Sequence, residues 1–142
     1  MVDGRNPTGA EARAVVAACE AALQCSGLQA ADIDLLKPQA AGSPGNDAIE
    51  AAALLQVFGA LPPMVTLKSH IGHTLGAAGA AELVLLTGCL ESGTWPTVSH
   101  DIDQALCVAL AAAAPARVRH VLLNALGFGG GHAALVLEDC AA

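Results

Sequence analysis

Tyrosine is absent from this chain, and Phe58, Trp95 and Phe128 account for its aromatic content, 2% of 142 residues. Three scattered rings build no aromatic box for a flat ligand, so the core is left to Ala, Leu and Val, whose small bulk lets elements approach closely. Basic residues are scarce as well: six Lys and Arg stand against thirteen Asp and Glu, for a formal net charge of −7. A chain so balanced carries no polybasic patch to follow a phosphate backbone, and nucleic acid is not an expected partner. Paired cysteine spacing is missing too. Cys19, Cys25, Cys89, Cys107 and Cys140 form no CxxC and sit in apolar contexts, so they read as small buried hydrophobes, with no metal site and no cofactor expected. The longest weakly polar stretch, residues 74–89, is broken by Glu82 and by glycines and falls short of the ~18 clean apolar residues of a bilayer span; no membrane span is expected. The opening MVDGRNPTGAEARA has acids and a proline where a signal peptide would place basic and then apolar residues, which predicts a cytoplasmic protein.

What is present is apolar: 54% hydrophobic against 13% charged residues, which excludes disorder and predicts one folded domain over residues 1–142. A first helix is predicted over residues 10–25, capped by Asn6 or Thr8 and stopped by Gly27. Residues 33–37 suit a buried strand before Pro38. The loop Gly42-Ser43-Pro44-Gly45-Asn46-Asp47 leads to a second helix over 48–58, and Pro62-Pro63 precede a second strand over 64–67. A long helix is predicted over 75–90, and its glycines imply backbone packed tightly against a neighbour. An extended piece over 95–98 and a weak helix over 105–113 precede two final strands, 118–126 and 133–138, joined by Gly127-Phe128-Gly129-Gly130-Gly131. The order α-β-α-β-α-β-β is that of an α/β layered domain whose last two strands pair antiparallel.

Several short motifs invite chemical readings. His70-Ile71-Gly72-His73, between a strand and a helix, has the letters of the nucleotide-binding tetrad of class I aminoacyl-tRNA synthetases, but the lysine-rich second loop such a site needs is absent. The same two histidines at i, i+3 lack a third zinc ligand nearby. The GFGGG run lies between two strands and is no dinucleotide fingerprint.

Longer motifs point elsewhere. Gly42-Ser43-Pro44-Gly45-Asn46-Asp47-Ala48-Ile49-Glu50, then Lys68-Ser69-x-x-Gly72-His73-Thr74-Leu75-Gly76-Ala77-Ala78-Gly79-Ala80-Ala81-Glu82, then Asn124-Ala125-Leu126-Gly127-Phe128-Gly129-Gly130, closely resemble the C-terminal half of β-ketoacyl-acyl carrier protein synthases over about residues 10–138. The resemblance implies a thiolase-like fold, in which two α/β halves pack together and condense an acyl-enzyme thioester with malonyl-acyl carrier protein. It implies that His73 is the second of two family histidines, that Lys68 and Glu82 are the supporting ion pair, and that Phe128, Gly129 and Gly130 are substrate-contacting positions, Phe128 beside the nucleophilic cysteine. The first family histidine is replaced: His-Gly-Thr-x-Thr-Pro reads here as Gln39-Ala40-Ala41-Gly42-Ser43-Pro44. Glutamine keeps a donor and an acceptor but is no acid or base at neutral pH. The family nucleophile belongs to the N-terminal half, and none of the five cysteines matches its motif.

Each retained residue also has a purely structural reading. Lys68 and Glu82 can be a buried pair that holds strand to helix, His73 a satisfied core histidine, Phe128 a core filler at a strand end, and the glycines a tight turn. The resemblance also places a central strand before the first helix, where residues 1–9 read as turn, so a thiolase-like half-domain with a gap in its sheet is expected. The expected role is a non-catalytic subunit, similar to chain-length factors, that partners a full-length ketosynthase or itself in type II fatty acid or polyketide synthesis, with acyl carrier protein an indirect partner. The enzyme-class alternative is a ketosynthase fragment that contributes His73 and the GFGG loop to a shared active site.

Overall fold

The computed structural model describes residues 10–98 and 100–139. The proposed caps Asn6 and Thr8 and the expected turn at residues 1–9 lie outside them, as does Cys140.

Helix α1 (Ala12–Ser26) buries the stripe Ala14, Val15, Val16, Ala18, Cys19 and Leu23, and Gly27 ends it in the left-handed region at φ 72°, where a side chain would be strained. Strand β1 (Leu35–Lys37) is buried at all three residues. Helix α2 (Pro44–Phe58) begins four residues before the expected start. Proline at the first helical turn forfeits no hydrogen bond and Asp47 in that turn favours the dipole, so the loop residues were helix starters. The one-turn helix α3 (Lys68–Ile71), a 3-10 turn (Leu75–Ala77) and helix α4 (Ala78–Ser92) follow. Strand β2 (His120–Gly127) and strand β3 (Gly131–Glu138) close the described chain.

The sheet has the order β1-β2-β3, β1 parallel to β2 and β2 antiparallel to β3, with Gly127 opposite Gly131 at the hairpin end. The antiparallel final pair is as expected. Asp34 ties the two parallel strands at their start, its Oδ2 accepting the N–H groups of Arg119 at 2.8 Å and His120 at 2.9 Å; these bonds hold its carboxyl below the usual range.

The strand expected over 64–67 is reduced to a bridge. Met64 pairs with Leu36 on one side and Leu110 on the other, while Thr66 and Leu67 lie outside any ladder. The central strand expected before α1 would fall on residues 1–9, outside the described ones; among the described residues β1 lies between β2 and the single Met64 bridge, so its backbone groups are paired on both edges. The weak helix over 105–113 is also corrected: only a 3-10 turn, Gln104–Leu106, forms, capped by Asp103, and Leu110 is spent on the bridge.

Alternation along β1 and β2 makes three layers. Leu36 and Leu122 join Val15, Cys19, Ala53, Leu54 and Met64 beneath α1 and α2. Leu35 and Val121 point the other way, to Val65, Leu67 and Leu86 of α4. The 18 residues Leu75–Ser92 are long and apolar enough to cross a membrane by length and composition, a correction to the sequence expectation. Glu82 near the middle of that stretch is nonetheless buried against the sheet. The tight packing expected at the glycines of 75–90 is corrected: an added Cβ at Gly79 would lie 3.7 Å from Ala125 Cβ, an ordinary contact, and Gly76 and Gly88 face open space.

Candidate functional site

The C-terminal end of β1, the start of α3 and the first turns of α4 converge on a buried charge cluster. Lys68 Nζ lies 2.6 Å from Glu82 Oε1, the pair the resemblance implied. The sequence reading missed its third member. Lys37, fully buried at the end of β1, pairs with Glu82 Oε2. The signal was present: a lysine closing an otherwise apolar strand is buried with it and needs an acid. A second carboxylate was missed on the same grounds. Glu50 sits on the apolar face of α2 with Ala51, Ala53 and Leu54 and accepts the N–H groups of Gln39 at 2.6 Å and Ala40 at 2.9 Å and the Asn124 amide at 2.5 Å.

Two lysines and two carboxylates thus share one buried cluster, where each needs the others. Burial pushes Lys37 down to about 7, helped by the like charge of Lys68, while Glu50 pulls the other way. Burial also lowers Lys68. It raises Glu50, although three hydrogen bonds oppose the shift.

This cluster grips the backbone of Gln39 at both polar groups. Glu50 takes its N–H, and Lys68 Nζ donates to its carbonyl at 2.5 Å. Its side-chain Nε2 then donates to Leu126 O at 3.3 Å and stands 3.3 Å from His73 Nε2. The His73 tautomer follows from its other nitrogen: the Leu75 N–H donates to Nδ1 at 3.1 Å, so the neutral ring carries its proton on Nε2. Two nitrogen donors, one amide and one imidazole, therefore face each other, and neither can accept from the other. An oxygen set about 2.9 Å from both would satisfy them, the geometry that polarises a carbonyl or holds a developing oxyanion.

His73 is exposed and Gln39 buried, so the pair opens to solvent on one side and rests on the charge cluster on the other. Phe128 is 77% exposed, which overturns its reading as a core filler. It stands in the β2–β3 turn, two residues past the Leu126 carbonyl that receives Gln39. Gly129 and Gly130 follow at φ 75° and 74°, so they serve the turn as expected. A cavity of about 450 Å³ lies behind the 39–47 loop, walled by Ala51, Leu54, Met64 and Leu110; Gln39, His73 and Phe128 are not among its lining residues.

No described cysteine is set up as a nucleophile. Burial pushes the Cys19 thiol up to about 12. Cys25 is exposed and Cys89 half-buried, in the last turns of α1 and α4, which corrects the expectation that the cysteines are small buried hydrophobes. Cys107 is exposed after a 3-10 turn. Among the described residues, no group of three or more His, Cys, Asp or Glu could hold a metal ion.

Comparison with known proteins agrees with this architecture. Residues 3–101 match the family described as β-ketoacyl synthase, C-terminal domain. The chain is 32% identical over 137 residues to actinorhodin polyketide putative β-ketoacyl synthase 1 of Streptomyces coelicolor, covering 92% of this chain and 29% of that relative. It is 33% identical over 119 residues to 3-oxoacyl-[acyl-carrier-protein] synthase 2 of Mycobacterium bovis, covering 80% of this chain and 28% of that one. It superposes with a TM-score of 0.86 and 30% identity on a structure of a ketosynthase in complex with its chain length factor from Xenorhabdus doucetiae, over 96% of this chain and 36% of that one. The chain thus spans less than a third of the length of these two curated relatives. By motif, by thiolase-like fold and by family match, it belongs to the β-ketoacyl synthase C-terminal domains.

Proposed function

We infer that this chain acts as a ketosynthase-like subunit in polyketide or fatty acid synthesis, beside a full-length ketosynthase or a second copy of itself, and that alone it condenses nothing. The observation that carries the reading is the Gln39–His73 donor pair, whose nitrogens stand 3.3 Å apart, in a chain none of whose five cysteines matches the family's nucleophile motif. Decarboxylative condensation needs a thiolate to carry the acyl group and donors to polarise the malonyl thioester. This chain offers only the second part. Gln39 adds a donor but moves no proton, so an imidazole's share of acid–base work is lost at that position. The ketosynthase partnered with a chain length factor, similar in fold and at 30% identity, supports a paired assembly. Acyl carrier protein would be met through the partner. The biosynthetic relatives support a cytoplasmic protein, the balance of −7 supports one without nucleic acid partners, and buried Glu82 supports reading Leu75–Ser92 as a layer of the fold and not a membrane span.

A second reading is favoured by the fixed His73 tautomer and its exposure: the chain lends His73 and the GFGG turn to an active site completed by its partner. Incubation with acyl- and malonyl-acyl carrier protein tests the first reading, since condensation by the chain alone would overturn it. The assembled complex separates the two. His73→Ala lowers turnover at least tenfold if the imidazole polarises the thioester, and leaves turnover unchanged if the partner holds a complete site of its own.

A further inference from the structure

Glu82 is shared by two lysines, and only one of them, Lys68, reaches Gln39. Lys37 touches neither Gln39 nor His73 through a hydrogen bond, yet it lies two residues before Gln39 on the same strand end and holds the other oxygen of the carboxylate that orients Lys68. We propose that Lys37 is a positioning residue for the donor pair: by holding Glu82 Oε2 it fixes the carboxylate that aims Lys68 at the Gln39 carbonyl, and so sets the direction of the Gln39 amide toward His73.

The chain of contacts is continuous. Lys37 pairs with Glu82, Glu82 with Lys68 at 2.6 Å, and Lys68 donates to Gln39 O at 2.5 Å. All four residues are buried. Glu82 presents two carboxylate oxygens to the interior, and Lys68 holds one while Lys37 holds the other. The groups facing its ammonium are Glu82 from α4, Lys68 from α3 and Glu50 from α2. Burial lowers the Lys37 proton affinity toward the neutral range, which makes its hold on Glu82 adjustable within conditions the fold tolerates. The position of the Gln39 amide rests on geometry alone; its use on a thioester carbonyl rests on the function inferred above.

Nuclear magnetic resonance of the full isotopically labelled chain tests the positioning without partner, substrate or turnover, so its failure would leave the acyl-site reading standing, and a failed condensation assay would leave the positioning standing. In Lys37→Met, melting cooperatively, the Gln39 side-chain amide and the His73 ring resonances should shift while His120, at the far end of β2, stays in place. Unchanged Gln39 and His73 resonances in that folded variant would overturn the proposal and leave Lys37 a core charge only. If Lys37→Met does not fold, the parent lysine serves: in a His73→Ala background, which removes the imidazole's own titration, the Gln39 amide should titrate with the midpoint of the Lys37 side-chain carbon. An amide that ignores that midpoint would overturn the proposal equally.

Discussion

Charge placement at single residues decides more of this protein's behaviour than its 13% charged content suggests. Glu82 faces two ammonium groups and is 1% exposed, whereas Glu138 pairs with Arg119 at 2.9 Å with both side chains about half exposed. Removing one member of a buried set strands the rest, at a cost of about 3–5 kcal/mol, while an exposed pair is worth about 0–1 kcal/mol. Urea denaturation of Glu82→Gln should therefore show a loss several times that of Glu138→Gln; equal losses would mean that water reaches the cluster. Protonation gives a second expectation. Lys37 is lowered from 10.5 to about 7 on folding, so between those values the unfolded chain binds the extra proton, and stability from this group rises with pH. Cys19 works in the opposite sense, raised from 9.0 to about 12, and erodes stability above pH 9. The clean window is pH 7 to 9. There the unfolding free energy of the parent should climb more steeply than that of Lys37→Met, by about 1 kcal/mol per pH unit; parallel curves from chemical denaturation would show that Lys37 keeps an ordinary proton affinity.

Elements were legible where period and punctuation agreed. The stripe of α1 with Gly27 behind it, and the hairpin across Gly127 to Gly131, follow from apolar spacing and from glycines in turns. The strand at 64–67 was not legible as a single bridge, because its apolar run is a wall of two cores, with Met64 in one and Val65 and Leu67 in the other, and burial without a ladder looks like a strand in sequence. The central place of β1 was hidden for a related reason: order in space is set by pairing partners, which one sequence does not display. At the site, Lys68, Glu82, His73 and Gln39 were singled out by the family resemblance, whereas Lys37 and Glu50 required asking what balances a charge inside an apolar element. Helix α4 yields a prediction of its own. Gly79 lies in the first turn with 3.7 Å between an added Cβ and Ala125 Cβ, ordinary van der Waals contact. Gly79→Ala should raise stability by about 0.5–1 kcal/mol through helix propensity, while Gly79→Leu should push α4 from β2 and lower it. A thermal melt of the two variants with opposite signs checks this.

At the scale of the molecule, one side of the sheet is finished and the other is not. Helices α1 and α2 cover the first face and share a continuous core with it. On the second face α4 contributes Ala78, Glu82 and Leu86 to the interior, but Val84 is 70% exposed, Leu85 40% and Leu75 67%. Isolated apolar residues on a surface need no explanation, whereas Val84 and Leu85 on α4 and Leu75 in the turn before it, in a chain with 54% hydrophobic composition, form the kind of face that another layer covers. The relatives supply a reason, since the structure sharing this fold extends well past the 36% that the chain covers. A net charge of −7 opposes self-association over the whole surface, but repulsion is screened within about 10 Å at 0.1 M salt, and of the two acids of α4 Glu82 is buried, which leaves Glu91 exposed in its last turn. The chain should therefore associate through α4, as a homodimer when alone and with a ketosynthase when one is present. Static light scattering at micromolar concentration in 0.1 M salt should give a mass of twice 14.1 kDa, and Val84→Glu with Leu85→Lys should return it to the monomer without lowering the melting temperature of the fold. A parent chain that stays monomeric and soluble would show that α4 needs no cover, and a dimer untouched by the double variant would place the contact on another face.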